Sequence, residues 1–336
     1  MPVRFGAIGF AHPHIFDMVT VLLGAGAEMA AFYDDDPAQI AQFTGRFPHA
    51  QQAPSIDAIL EDETIDLIVS ATIPNTRALL GIRAMQHGKD YLCAKPGLTD
   101  FEQLAEVRRV QAETGQKYII YYGERLHNPA TVKAGELVHA GAIGRVAQTV
   151  GFGPHRLLGS FPRPEWAFQR AYSGGIINDL ASHQIDQFLY FTGSTQAQVV
   201  AAHVGNMKHG QFPNMHDFGD VVVRSPSAVG YIRVDWLTPD GLDTWGDVLL
   251  FIMGTEGTIE LRKNIDLAGR AGGNHLFLVN GEGTQYIDCQ QVPLPFAAQF
   301  LADVEKRTET AISQVHCLLA AELALTAEQQ AFEMLR

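Results

Sequence analysis

The chain begins with the apolar run VRFGAIG (Val3–Gly9), which is typical of a short strand that ends in glycine. Pro13 follows at a position that suits the first turn of a helix running to about Leu23. Strand and helix patterns then alternate as far as Tyr122, with Asp66–Ala71 as the clearest buried strand. This alternation predicts an α/β domain built on a doubly wound parallel sheet with right-handed crossovers. Dinucleotides bind such sheets at the carboxyl ends of the strands.

The turn after the first strand is where a dinucleotide-binding fold carries the fingerprint G-x-G-x-x-G. This chain keeps only the first glycine of that pattern. The candidate cofactor contacts in the turn are Gly9, Phe10, Ala11, His12 and His14. Two histidines without a third ligand make a poor metal site, so we interpret them as loop residues near a pyrophosphate and expect no metal.

The second predicted strand, Glu28–Tyr33, stops at Asp34. An acidic residue about 20 residues or slightly more after the glycine turn holds the ribose hydroxyls of adenosine. The alternative is that Asp34 is a solvated N-cap before the helix that starts at Pro37. The two aspartates that follow Asp34 would repel a 2′-phosphate, which favours NAD over NADP. A third, weak strand is expected near Ala50.

The composition limits the classes of function. With 336 residues the chain exceeds one ordinary domain, and two domains are expected. A net charge of −13 argues against nucleic acid or an anionic membrane as partner, because both need a basic face. Cys93, Cys289 and Cys317 lie far apart and are interpreted as reduced thiols of a cytoplasmic protein. We expect neither a signal peptide nor a membrane span.

The segment GGIINDLASHQIDQFLYF (Gly174–Phe191) is the strongest candidate for carrying chemistry. As a regular α-helix it would align Asp179, His183, Asp186 and Tyr190 on one stripe, with apolar residues on the other side. An aspartate one turn before a histidine can orient its ring and stabilise its charged form, as a general base for an alcohol proton requires. The alternative is a surface helix whose first aspartate merely suits the helix dipole.

Two motifs together resemble the Gfo/Idh/MocA family of oxidoreductases, which includes glucose–fructose oxidoreductase and inositol 2-dehydrogenase. The family carries Glu-Lys-Pro at a strand end and G-G-x-x-x-D-x-x-x-H on a helix of its second domain. Here the first motif is Ala94-Lys95-Pro96, and the second is the glycine pair of Gly174–Phe191 with its aspartate and histidine. Further similar segments, in order along the chain, are Ala71–Asn75, Ala140–Val146 and Gly254–Gly257.

The resemblance implies an NAD-binding Rossmann domain over residues 1–123 and a substrate-binding and oligomerisation α+β domain over 124–336. It implies that Lys95, Asp179 and His183 are catalytic and meet across the cleft between the domains. The cofactor contacts that it adds are Thr72, Ile73, Pro74, Asn75, Ala94 and Lys95. The chain departs from the family at Ala94, where the family has glutamate, and in the eroded glycine fingerprint. Both departures concern residues that would bind the cofactor.

Strands dominate from about Glu124 onward, which predicts a large open, mostly antiparallel sheet. A partner subunit usually covers this sheet in the family, so a homodimer or homotetramer is expected. The long loop Gly153–Ser173 precedes the Asp179/His183 segment and is expected to wall a substrate pocket, although it could equally be a subunit interface. The candidate substrate contacts are Lys95, Arg125, His155, Arg156, Trp166, Asn178 and His183.

The leading functional hypothesis is NAD-dependent oxidation of a secondary alcohol on a sugar, cyclitol or related polyol. His183 would take the hydroxyl proton, Asp179 would orient its imidazole, and Lys95 would polarise the reacting oxygen. One alternative is a glycosidase of the same fold that uses NAD transiently. The other is a nucleotide- or sugar-binding regulator without catalysis, which the departures from the family pattern favour slightly.

Overall fold

The computed structural model describes residues 2–157 and 163–334 of the chain. Residues 158–162 of the predicted long loop, Phe161 among them, lie outside the described residues. The chain forms two compact units. The first unit runs to Tyr121 and takes in Pro295–Leu318, and the second comprises Tyr122–Leu294 and the residues from Leu319 onward. A late segment of the chain therefore belongs to the first unit.

The first unit is built on a parallel sheet. Its strands are β1 (Arg4–Ile8), β2 (Glu28–Tyr33), β3 (Leu67–Ser70), β4 (Asp90–Ala94) and β5 (Tyr118–Tyr121). Within the described residues this sheet has five strands in the order β2-β1-β3-β4-β5, and all neighbouring pairs are parallel. The connecting helices are α1 (His14–Gly24), α2 (Pro37–Arg46), α3 (Ile56–Leu60), α4 (Pro74–Gln86) and α5 (Phe101–Thr114). The predicted doubly wound α/β fold is confirmed.

Local sequence signals explain where these elements begin and end. Strands β3 and β4 are buried along their whole length, as expected for near-continuous apolar runs in a parallel sheet. Helix α4 begins with Pro74, whose fixed φ suits the first helical position. Helix α5 is capped by Asp100, which accepts from the Gln103 N–H, and ends at Gly115 in the left-handed conformation.

The weak strand expected near Ala50 is wrong. The segment forms only an isolated bridge between Phe32 and Gln52, beside β2. Its residues are mainly alanine and glutamine, which have little preference for strands, and Pro54 ends the run after a few residues. Two backbone hydrogen bonds, from Phe32 to Gln51 and from Ala53 to Phe32, are all that joins it to β2 in the described structure.

The second unit contains a large mixed sheet. Its strands are β6 (Val146–Pro154), β7 (Gln198–Gly205), β8 (Phe218–Arg224), β9 (Val229–Asp235), β10 (Leu249–Gly254), β11 (Gly257–Arg262), β12 (His275–Asn280), β13 (Gly283–Asp288) and β14 (Phe332–Glu333). In the described part of the chain their order is β13-β12-β11-β10-β6-β9-β8-β7-β14. The pairs β6–β9 and β7–β14 are parallel and the other neighbours are antiparallel. The predicted mostly antiparallel sheet is confirmed.

Short helices precede and follow β6. They are α6 (Gly123–Leu126), α7 (Pro129–His139), a 3₁₀ turn (Glu165–Phe168), α8 (Arg170–Ser173), a π-helical turn (Ile177–Ala181) and α9 (Ser182–Thr192). One face of β10–β12 packs against α7 in a core that includes Ile252, Ile259 and Leu276. On the opposite face, Phe251 and Met253 alternate with these buried residues and are more than one third exposed.

Two helices follow the last long strand, α10 (Phe296–Lys306) and α11 (Gln314–Gln330). In the first unit, the side chain of Gln314 bonds the backbone of Tyr118 from both sides, accepting from its N–H at 2.8 Å and donating to its carbonyl at 2.7 Å. The side-chain amide thus occupies the exposed edge of β5, which would otherwise offer unpaired backbone groups. Within residues 2–157 and 163–334, every helix is too short or too polar to cross a bilayer.

Candidate functional site

The glycine turn of the first unit explains why one glycine of the fingerprint is kept. Gly9 has φ +75°, and a Cβ there would lie 2.0 Å from Cγ2 of Thr72. Its N–H donates to the Tyr33 carbonyl, and its carbonyl accepts from the Ala71 N–H. Glycine is therefore required at the end of β1, where the backbone passes between strands β2 and β3.

The side chain of Asp34 accepts a hydrogen bond from this turn. Its Oδ2 accepts from the Phe10 N–H at 2.6 Å and its Oδ1 accepts from the Asp36 N–H at 2.8 Å. Burial raises the pKa of Asp34, and these two bonds oppose the rise. The N-cap of α2 is Asp36, whose carboxylate accepts from the Ala38 N–H, so Asp34 is not the cap. Each oxygen of Asp34 keeps lone pairs for a ribose hydroxyl.

The other predicted contacts of the turn differ in what they can offer a ligand. The ring of Phe10 is buried and stacks on Phe43 with centroids 4.0 Å apart, so only its backbone faces the turn. His12 and His14 pack edge to face at 4.1 Å, and Nδ1 of His12 accepts from the His14 N–H. Helix α1 begins at His14, which puts its N-terminal N–H groups at the turn. Ala11 is partly exposed beside them.

The turn between β3 and α4 holds four predicted cofactor contacts, Thr72, Ile73, Pro74 and Asn75. Of these, Asn75 offers the clearest opening for a ligand. Its Oδ1 is buried without a hydrogen-bond partner in the described structure, while its carbonyl accepts from Gln103. A buried acceptor without a partner costs about 1–3 kcal/mol, which a bound donor would relieve. The first unit therefore fits a dinucleotide at three places, namely the Gly9 turn, Asp34 and Asn75.

Lys95 ends β4 at a turn that is held by a buried arginine. Arg77 on α4 is fully buried, and its Nη1 donates to the carbonyls of Ala94, Lys95 and Pro96 at 3.1, 2.7 and 3.0 Å. Its Nε donates to the Thr72 carbonyl at 2.7 Å. One guanidinium thus joins the turn between β3 and α4 to the lysine turn after β4. The sequence analysis missed Arg77, whose only signal is an arginine among apolar residues of a helix.

In the second unit, the segment that carries Asp179 and His183 is not a regular surface helix. It starts with a π-helical turn at Ile177–Ala181 and becomes α-helical at Ser182. Almost every residue from Gly175 to Leu189 is buried, so the alternative of a surface helix is wrong. The physical reason is that β6, β8 and β9 cover the segment. Single π turns within helices occur frequently at functional sites.

Asp179 and His183 lie on consecutive turns of this segment. His183 is 4% exposed, and its ring meets that of Tyr122 edge-on at 6.3 Å. Asp179 is partly exposed. Burial lowers the pKa of Arg163, and the carboxylate of Asp179 opposes this change. A carboxylate on one turn and a nearly buried imidazole on the next are the elements of a general base.

The third member of the predicted stripe, Asp186, bonds an arginine. Asp186 is fully buried and accepts from Nε and Nη2 of Arg125 at 2.6 and 2.8 Å. The guanidinium also lies 4.8 Å from the centre of the Tyr190 ring. These contacts fix α9 against α6 through a buried bidentate pair. That Arg125 contacts a substrate stays a prediction.

A second buried network flanks this pair and was missed from the sequence. Nζ of Lys263 donates to Oε1 of Gln187 at 2.6 Å and lies 3.3 Å from Oε2 of Glu124. Gln184 donates to the same Glu124 oxygen at 2.5 Å. Burial lowers the pKa of Lys263, and the Glu124 carboxylate opposes this change. A lysine just after β11 and two glutamines on α9 give no pattern that the sequence alone could connect.

The predicted substrate contacts around β6 form one cluster. His155 packs between the rings of Trp236 and Trp245, at 5.2 and 4.5 Å. The guanidinium of Arg163 lies 4.1 Å from the Trp236 ring and donates to the Arg156 carbonyl. Arg163 thus links this cluster to Asp179 electrostatically.

Two further predicted contacts lie elsewhere in the second unit. Trp166 is partly buried in the 3₁₀ turn. Asn178 is 2% exposed within the π turn. Within residues 2–157 and 163–334, no three His, Cys, Asp or Glu side chains are grouped as a metal ion would need.

Both halves of the chain match a known family. Residues 4–122 match the oxidoreductase family with an NAD-binding Rossmann fold, and residues 131–260 match the GFO/IDH/MocA C-terminal domain. The chain is 26% identical, over 68% of its length, to scyllo-inositol 2-dehydrogenase (NAD(+)) of Bacillus subtilis, of which it covers 62%. It spans less than two thirds of the length of this and several other curated relatives.

Solved structures extend the likeness over the whole chain. A protein of Erwinia carotovora atroseptica SCRI1043 is 47% identical, with a TM-score of 0.96 over 99% of this chain and 100% of that one. A levoglucosan dehydrogenase in complex with NADH and levoglucosan shares the fold, with a TM-score of 0.79, 18% identity and 98% coverage of both chains. Because one family matches the two halves in order, the chain belongs to the Gfo/Idh/MocA family of oxidoreductases.

Proposed function

We propose that this protein is an NAD-dependent dehydrogenase that oxidises a secondary alcohol of a sugar, cyclitol or related polyol. The observation that carries the proposal is the nearly buried His183 one turn after the partly exposed Asp179, on a helix of the family's substrate domain. Relatives named as inositol 2-dehydrogenases support the substrate class.

The proposed chemistry gives each side chain one task. NAD, when bound, accepts the hydride from the alcohol carbon. His183 takes the hydroxyl proton, and the Asp179 carboxylate stabilises the imidazolium that results. Lys95 donates a hydrogen bond to the reacting oxygen and stabilises the negative charge that develops there. A positioned base of this kind contributes roughly 10²–10⁴-fold to the rate.

We infer that the first unit prefers NAD to NADP. The carboxylate of Asp34 is held by two N–H groups at the end of β2, where it suits ribose hydroxyls and would repel a 2′-phosphate. Asp35 and Asp36 beside it are exposed and add to this repulsion. Titration of the cofactor-free protein with NADH and NADPH, followed by nicotinamide fluorescence, measures the preference. Equal affinities for the two would contradict it.

The test of the catalytic assignment uses two His-to-Gln variants. The substrate panel contains scyllo-inositol, D-xylose and levoglucosan, which the names of relatives suggest. We expect His183→Gln to lower kcat by roughly 10²–10⁴-fold without changing the Kd for NADH. The control is His203→Gln, because His203 also bonds an aspartate, Asp220, at 2.7 Å but lies on β7. Full turnover by His183→Gln would refute the proposal, and release of sugar without NADH would favour the glycosidase.

We also propose a homodimer or homotetramer formed through the open sheet. Phe251, Met253, Val279 and Tyr286 are all more than one third exposed on strands β10, β12 and β13. Exposed apolar residues grouped on a sheet face indicate an interaction surface. Light scattering of the purified protein gives its mass in solution. A monomer at micromolar concentration would contradict the proposal.

A further inference from the structure

One carboxylate from the C-terminal helix lies at the start of the segment that carries Asp179 and His183. Oε2 of Glu328 on α11 accepts from the Ile177 N–H at 2.8 Å and from the Asn178 N–H at 3.4 Å. The first N–H groups of a helix have no partner within it and need one from outside. A negative charge at a helix N-terminus is also favoured by the helix dipole. Glu328 therefore supplies both the acceptor and the charge that this helix end requires.

The glycine pair before the helix provides the space for this carboxylate. Gly175 has φ +91°, and a Cβ at this position would lie 2.1 Å from both Cδ and Oε1 of Glu328. Any other residue would displace the carboxylate from the helix N–H groups. The second glycine of the G-G-x-x-x-D-x-x-x-H pattern and Glu328 are thus two halves of one structural feature, although 153 positions separate them in the sequence (328 − 175).

Three titratable groups face Glu328. Burial raises the pKa of Glu328, and the charge of Asp179, which lies on the helix itself, adds to the rise. The two N–H bonds and Arg170 on α8 oppose the rise, and the resulting pKa is about 7. His216, just before β8, has its Nδ1 4.0 Å from Glu328, and its Nε2 lies 3.4 Å from Glu333 on β14. Glu328 is 17% exposed at its side chain, so water screens these interactions only partly.

We propose that Glu328 is a positioning residue for the Asp179/His183 pair. It fixes the first turn of their helix through the bonds that its carboxyl oxygen accepts from Ile177 and Asn178. This inference rests on the proposed function, in which His183 is the base. A base contributes fully to the rate only when it is held in the productive position. Loss of the acceptor should therefore lower kcat without changing the Kd for NADH, and a side chain that keeps the acceptor should restore kcat.

The test compares Glu328→Gln with Glu333→Gln. The first variant keeps an oxygen acceptor for the helix N–H groups but removes the charge. The control removes an equal charge that also faces His216 but bonds no N–H of the helix. For each variant kcat, KM and the Kd for NADH are measured. Because Glu328→Gln keeps the acceptor, we expect both variants to retain most of the wild-type kcat.

A second variant separates the acceptor from the charge. Glu328→Ala removes both, and we expect it to lower kcat about tenfold or more relative to Glu328→Gln, with the Kd for NADH unchanged, since the acceptor for the first turn is lost. An equal kcat in Glu328→Ala and Glu328→Gln would overturn the inference. Failure of the proposed function looks different, because His183→Gln would then retain turnover whatever the Glu328 variants do.

Discussion

The contact between Gly175 and Glu328 can be tested by adding a single methyl group. Among the glycines of the second unit with left-handed backbone, Gly175 with φ +91° lies at the start of the Asp179/His183 segment and Gly193 with φ +63° follows its end. A Cβ at Gly193 would have no atom within 4 Å, whereas at Gly175 it would lie 2.1 Å from the carboxylate of Glu328. Alanine at either position bears the strain of left-handed backbone. Only Gly175→Ala also displaces Glu328.

The two costs can be estimated separately. Left-handed backbone costs a non-glycine residue about 1–2 kcal/mol, and this is the whole effect expected for Gly193→Ala. At Gly175 the displaced carboxylate also loses its bonds to Ile177 and Asn178, and a hydrogen bond to a charged group contributes about 1.5–3 kcal/mol. We therefore expect Gly175→Ala to lower the free energy of unfolding by about 3–5 kcal/mol.

Tryptophan fluorescence is a suitable readout for urea unfolding. The three tryptophans, at positions 166, 236 and 245, all lie in the second unit and report on its unfolding. The result that would refute the reasoning is an equal loss of stability in the two variants. In that case Glu328 moves aside without cost, and the glycine is explained by its backbone conformation alone. A matching comparison in the background of Glu328→Ala should abolish the difference between Gly175→Ala and Gly193→Ala.

Three further predictions concern charged side chains. Arg77→Lys keeps the charge but loses the planar guanidinium that bonds two turns, so we expect turnover to fall about tenfold or more. The control is Arg83→Lys at the surface, which should leave the turnover unchanged in the same assay. Asp34→Ala should weaken NADH binding about tenfold or more and narrow its advantage over NADPH, as fluorescence titration would show. The pKa of Glu328 rises from 4.5 to about 7 on folding. The folded state therefore binds this proton more tightly than the unfolded state, and the free energy of unfolding falls by about 3 kcal/mol as the pH rises from about 4.5 through 7. Urea unfolding at pH 5 and pH 8 should show most of this fall in the wild type but not in Glu328→Gln.

The order of elements could be predicted from the sequence because its signals are local. Strands β1 to β5 and the long strands of the second unit stand within a few residues of their predicted positions, since apolar runs bounded by glycine and proline specify them. The failure near Ala50 has the same origin, because a short run of alanine and glutamine carries little strand signal. The motif residues were also found locally, as a lysine–proline pair at a strand end and a histidine four residues after an aspartate.

What the sequence could not show are the distant partners of those motifs. Arg77 reaches carbonyls 17, 18 and 19 residues away, and Glu328 caps an N–H 151 residues earlier in the chain. The π turn before Ser182 is equally invisible, because the i→i+5 hydrogen bond depends on packing against the sheet and not on a residue pattern. Periodicity identifies the face of a helix, but it carries no information on which remote charge contacts the end of that helix.

Arg77 bears on the departure at Ala94, where the family has glutamate. The guanidinium bonds the carbonyls of Ala94, Lys95 and Pro96, which are main-chain groups present whatever side chain residue 94 carries. The methyl group of Ala94 is fully buried, so the small side chain fits the turn without exposing it. The backbone of the lysine turn is therefore held from α4 through main-chain carbonyls, and the loss of the glutamate leaves that support intact. The same logic applies to the second unit, where Glu328 holds backbone N–H groups before Asp179. In each unit a buried charge fixes the main chain of a predicted catalytic motif, which leaves the side chains of that motif available for chemistry.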